Sequence, residues 1–126
     1  MAKSFRLERL NENIKELLSE LILKEIKDPR IGFVTITAVK VAADLMTAKV
    51  YFSVMGSEKD RQESRKGLIS ASSFMRRVVG DQLKLHHVPD FHFIYDDSLD
   101  KAMKIEEVLK ELKNEETAGP EEDESE

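Results

Sequence analysis

The sequence predicts one α+β domain in which helices pack on one face of a three-stranded sheet. Apolar residues recur at three- and four-residue steps in three separate stretches, two β-branched runs adjoin across a four-residue link, and a short aromatic run separates the second and third helical stretches. With 126 residues, 40% hydrophobic and 36% charged, the chain has the length and balance to bury one core.

From Phe5 to Ile26, the residues Leu7, Leu10, Ile14, Leu17, Leu18, Leu21, Ile22 and Ile26 follow the period of an amphipathic helix. Asp28-Pro29 ends it, because proline disfavours α geometry at the residue before it. Gly32 lets the chain turn into FVTITAVKV, residues 33–41, a β-branched strand with partial alternation. Ala42 to Leu45 lead to MTAKVYFSVM, residues 46–55, and so short a link predicts an antiparallel hairpin. Gly56-Ser57 opens a helical region, Val88-Pro89-Asp90 closes it, and FHFIY, residues 91–95, is a third strand. Asp96, Asp97 and Ser98 then supply capping side chains for a helix from Leu99 to Leu112, whose stripe is Leu99, Ala102, Met103, Ile105, Val108, Leu109 and Leu112. Burying these stripes together gives the order α-β-β-α-(kink)-α-β-α.

The kink belongs to RKGLISASSFMRRVVGDQLKL, residues 65–85. On a helical wheel Leu68, Ala71, Phe74, Met75, Val78, Val79 and Leu83 share a core-facing arc, and Lys66, Ser70, Ser73, Arg77 and Lys84 share the opposite one. Ser72 falls inside the apolar stripe, where its hydroxyl can bond back one turn and bend the helix, so a kinked or broken helix is expected at Ala71, Ser72 and Ser73. The outer arc sets small hydroxyls between basic residues, which suits the approach of a phosphate backbone.

The net charge of −5 averages two unlike pieces. Residues 114–126, NEETAGPEEDESE, hold seven of the 25 acids and no Lys or Arg, leaving 18 acids against 20 bases in a mildly basic body. So acidic and apolar-poor a run predicts a disordered tail after a domain spanning 1–113. There is no cysteine, which excludes disulfides, thiolate metal sites and a cysteine nucleophile and favours a reducing compartment. The N-terminus has no apolar signal region and no stretch approaches a membrane span, so a cytoplasmic protein is expected.

A helix, a small-residue break and a second helix among three strands form the skeleton of a KH-type nucleic-acid-binding domain, here without the G-x-x-G loop that usually clamps the backbone. Five motifs carry a closer likeness: Arg6-x-x-Arg9, Glu25 to Ile31 (EIKDPRI), Val34 to Val41, Asp44-Leu45-x-x-Ala48-Lys49-Val50-Tyr51, and Val88-Pro89-x-Phe91-x-Phe93-x-Tyr95-Asp96-x-Ser98. Together, over roughly residues 3 to 112, they resemble the ribosome-binding factor A family. The resemblance implies a type II KH-like fold and a bacterial factor that binds the small (30S) ribosomal subunit and its 16S rRNA, assisting maturation and growth in the cold. It also implies a helix break, commonly Ala-x-Gly, at Ala71, Ser72 and Ser73, with Ser73 in place of the glycine.

For RNA contact the first candidates are Lys66, Arg76, Arg77 and Lys84, followed by Lys3, Arg6, Arg9 and Arg30. From Arg65 to Leu85 five basic residues stand against Asp81 alone, and such clustering favours an anion-binding face. His86, His87 and His92 lack the spacing of a metal site and instead extend a basic helix end. Asp96, Asp97 and Asp100 stand where a helix N-terminus wants acceptors, which accounts for them better than a nuclease metal cluster. No nucleophile–base pair and no Walker or dinucleotide motif is present, so a monomeric, non-enzymatic binding factor without cofactor, metal, membrane or small-molecule substrate is expected. The rivals are a nuclease, which would need a divalent ion and shorten its RNA, and an interaction module using the Leu99–Leu112 helix, which would hold its partner in high salt.

Overall fold

The computed structural model describes residues 2–124, with side chains for residues 6–115. Its elements are α1 (Ala2–Lys24), β1 (Val34–Val41), β2 (Thr47–Val54), α2 (Glu58–Leu83), β3 (Asp90–Tyr95) and α3 (Ser98–Glu124). They form two compact units that divide between Asp96 and Asp97.

In the first unit the three strands stand in the order β1-β2-β3, with β1 antiparallel to β2 and β2 parallel to β3. The hairpin turn is closed by the Leu45 amide on the Ala42 carbonyl and by the Met46 amide on Asp44 Oδ1, and it holds Leu45 at φ 63°, a left-handed conformation unfavourable for a branched residue.

The partial alternation of β1 has a cause. Ile36 opposes Phe52 and Ala38 opposes Tyr51, so Thr37 is the extra residue of a β-bulge. Ile36 before the bulge and Val39 and Val41 after it therefore all face the core. Thr37 Oγ1 donates to Asp96 Oδ2 at 2.7 Å, fixing the bulge against the end of β3.

The core draws Ile14, Leu18 and Leu21 from α1, Leu68, Met75 and Val79 from α2, and alternate residues of all three strands, with Phe52 fully buried at its centre. Truncating so central a ring to alanine costs about 3–5 kcal/mol. On α1, Asn11 Oδ1 accepts the Val41 amide at 2.9 Å, satisfying a donor on the edge strand β1.

α2 starts in a capping box, where Ser57 Oγ accepts the Asp60 amide and Asp60 Oδ2 accepts the Ser57 amide. It then runs unbroken through Ala71, Ser72 and Ser73, so no second helix begins there and the order becomes α-β-β-α-β-α. A serine hydroxyl inside a helix can bend it without interrupting its ladder. Close packing falls elsewhere, at Gly67 and Gly80: a Cβ on Gly67 would lie 2.6 Å from Ile31 Cγ1, and one on Gly80 2.8 Å from Val88 Cγ2. The helix ends on Lys84 in the left-handed conformation, φ 52° and ψ 51°, with its amide on the Gly80 carbonyl.

The second unit is α3. It carries the apolar stripe Leu99, Met103, Ile105, Val108, Leu109 and Leu112. The helix continues past Leu112 to Glu124. Side chains beyond Glu115, and residues 125 and 126, lie outside the described residues.

Candidate nucleic-acid interface

The fold of the first unit brings most of the candidate cations to one end. The Asn11 bond to Val41 sets the early turns of α1 beside the last residue of β1. Thr47 of β2 is the register partner of Asp90 of β3, so the starts of both strands meet there as well. Gly80 approaches Val88, and Arg76 reaches the segment before β3, which adds the C-terminal turns of α2 to the same end. That end gathers Arg6, Arg9, Lys40, Lys49, Arg76, Arg77, Lys84, His86, His87 and His92, with Glu8, Glu12, Asp44, Asp81 and Asp90 among them. The opposite end holds the Asp28–Arg30 turn, the start of α2 with Glu58, Asp60 and Glu63, and Asp96.

Within this arrangement the sequence candidates differ. Lys66 and Arg77 are exposed on α2 together with Ser70 and Ser73, and Lys84 is exposed at its C-cap. Arg77 lies over the ring of Phe74, 5.6 Å from guanidinium to centroid. Phe74 itself is 36% exposed, at the rim of the core stripe rather than inside it. Lys66 stands 18 residues before Lys84, about 27 Å along the helix, and so belongs to the far half of α2.

Arg76 is half-buried and turned inward. Its Nε donates to the Pro89 carbonyl at 3.1 Å, its Nη2 to the Val88 carbonyl at 2.8 Å, and Nη2 pairs with Asp90 Oδ1 at 3.3 Å. It ties α2 to β3, and in doing so occupies the acid at the start of that strand. Arg30 is likewise committed: its amide, Nε and Nη2 all donate to Asp28, closing a turn in the acidic end. These bonds hold the Asp28 carboxyl below the ordinary carboxylate range and raise the Arg30 guanidinium. Arg6 and Arg9 are exposed on α1, while the side chain of Lys3 lies outside the described residues.

Arg65, left out of the candidate set, spends its Nε on the Phe93 carbonyl at 3.1 Å. Lys40 and Lys49, also left out, are exposed on the sheet face turned away from α1 and α2. Their pairing depends on a register that no single run of residues displays. Before the last helix, Asp96 accepts the Thr37 hydroxyl and Asp97 pairs with Lys101 at 3.5 Å. Among the described residues no group of three or more His, Cys, Asp or Glu side chains is placed to hold a metal ion, and no helix is long and apolar enough to cross a membrane.

A three-stranded α+β unit with cations at one end matches known proteins over most of its length. The family pattern for ribosome-binding factor A matches residues 6–109. The chain belongs to the ribosome-binding factor A family. Ribosome-binding factor A of Halothermothrix orenii is 45% identical over 120 residues, covering 95% of this chain and 98% of that protein. The solution structure of a ribosome-binding factor A protein from Thermotoga maritima superposes with a TM-score of 0.67 at 32% identity, over 75% of this chain and 91% of that one. A homology model of Thermus thermophilus ribosome-binding factor A, as fitted into the cryo-EM map of a 30S complex, shares the fold with a TM-score of 0.58 at 21% identity, over 69% of this chain and 91% of that one.

Proposed function

We propose that this protein binds the small (30S) ribosomal subunit through its 16S rRNA and assists late maturation and rRNA processing, including in the cold. It acts in the cytoplasm as a monomeric, non-catalytic binding factor. The observation that carries this reading is the gathering of cations at one end of the first unit in a ribosome-binding factor A family member. The 30S complex of the Thermus thermophilus protein supports the choice of subunit. Contact is to phosphate, through Arg77 and Lys84 with Arg6 and Arg9, extended by Lys66 along α2; Arg76 and Arg30 hold the fold around it.

Sedimentation with purified small subunits, large subunits and complete ribosomes at low and moderate salt tests the reading. The wild type should pellet with small subunits alone and be released as salt rises, and a folded Lys66→Glu/Arg77→Glu/Lys84→Glu variant should stay in the supernatant. Absence of the wild type from every pellet would overturn the function; equal pelleting of the variant would overturn the surface.

A further inference from the structure

The face of the sheet turned away from α1 and α2 carries a second cationic feature. Lys40 on β1 is the register partner of Lys49 on β2, and Lys49 is the partner of His92 on β3, so one row across all three strands reads Lys-Lys-His, each residue exposed. The β-bulge at Thr37 sets this row, because without it Lys40 would share the core-facing parity of Ile36. Like charges directly opposite one another on a sheet repel and destabilise it, and the row includes no acid to offset them. The acid two residues before His92, Asp90, is drawn away to Arg76. In the next row Ala38, Tyr51 and Ile94 are uncharged, and Lys40 Nζ stands 5.7 Å over the Tyr51 ring, covering it from a stacking base.

We infer that the Lys40–Lys49–His92 row is a second phosphate-binding surface for ribosomal RNA. It is continuous, around the end of the sheet, with the α1 turns that bear Arg6 and Arg9. The α2 arc faces away from the sheet, so the two surfaces lie on opposite sides of the first unit and the protein holds RNA backbone on both. Repulsion in the free protein is offset when phosphate settles on the row, and the covered tyrosine makes that contact indifferent to sequence.

This rests on the RNA-binding reading above, and the test separates the two. Binding of the full chain to purified small subunits and to free 16S rRNA is measured across a salt series, and thermal unfolding is followed in the absence of RNA. A Lys40→Gln/Lys49→Gln variant should reduce the magnitude of the slope of log Kobs against log salt by about 1.4–1.8, two phosphates' worth, on both substrates. A Lys49→Glu variant, which places opposite charges face to face, should melt no lower than wild type and yet bind RNA more weakly. An unchanged slope in the presence of wild-type binding would overturn the second surface and leave the function standing. Loss on subunits with none on free rRNA would assign the row to a ribosomal protein and overturn the RNA assignment. A wild type that binds neither substrate would overturn both readings.

Discussion

Arg76 and Arg77 are neighbours in the chain that do different work. The guanidinium of Arg76 bonds two carbonyls and an aspartate beside β3, while that of Arg77 stands exposed over Phe74. Hydrogen bonds to charged groups contribute about 1.5–3 kcal/mol each. Arg76→Ala should therefore lower stability by about 2 kcal/mol in denaturant unfolding, whereas Arg77→Ala should leave stability unchanged and weaken small-subunit binding. Lys84 allows a cleaner separation. Its left-handed conformation disfavours any side chain, and glycine removes that penalty. Lys84→Gly should raise stability by about 1 kcal/mol while weakening RNA binding, a divergence that a purely structural lysine would not give. Wheel position marks Lys66 and Arg77 as outward-facing on α2, and both are exposed. It does not show the bonds of Arg76, because where that guanidinium turns is decided by carbonyls twelve and thirteen residues away.

At the level of the elements, α2 is held by its start and by its glycines. Ser57→Ala should cost about 1 kcal/mol as a lost N-cap. The Ser57 amide and then its hydroxyl hold the Asp60 carboxyl below the ordinary carboxylate range. A carboxyl lowered on folding contributes its full stability above the unfolded value near 4 and loses it as the pH falls through the lower folded value. The deficit in Tm of Asp60→Ala, evident at pH 7, should accordingly shrink below about pH 4. Gly67→Ala should destabilise despite alanine's helix propensity of about 1 kcal/mol over glycine, because Ile31 Cγ1 occupies the place of the new methyl. The same signals explain what was legible. β-branched runs and a four-residue link marked the strands and their hairpin, and the apolar spacing 34, 36, 39, 41 already contained the bulge as a slip of one residue. The serine-rich middle of α2 suggested an interruption, yet Ser70 and Ser73 are exposed and helix-compatible, and the tight contacts fall to Gly67 and Gly80.

For the whole molecule, the net charge of −5 conceals a first unit with cations concentrated at one end. Electrostatic steering toward RNA depends on this distribution more than on the sum. The sequence showed the basic run on α2, whereas its union with the α1 turns and with the Lys40–Lys49–His92 row required the sheet register. Polarity is tested most directly by reversing equal charge at the two ends and measuring small-subunit affinity at one salt concentration. Arg77→Glu/Lys84→Glu alters the basic end; Lys27→Glu/Lys59→Glu alters exposed lysines at the other. Both variants carry the same net charge, so a difference between them reports position alone. The account predicts that the first variant binds at least tenfold more weakly than the second, a gap of about 1.4 kcal/mol, with the second close to wild type. Equal loss in both would show that net charge governs binding, and would contradict a cationic end as the RNA-binding surface.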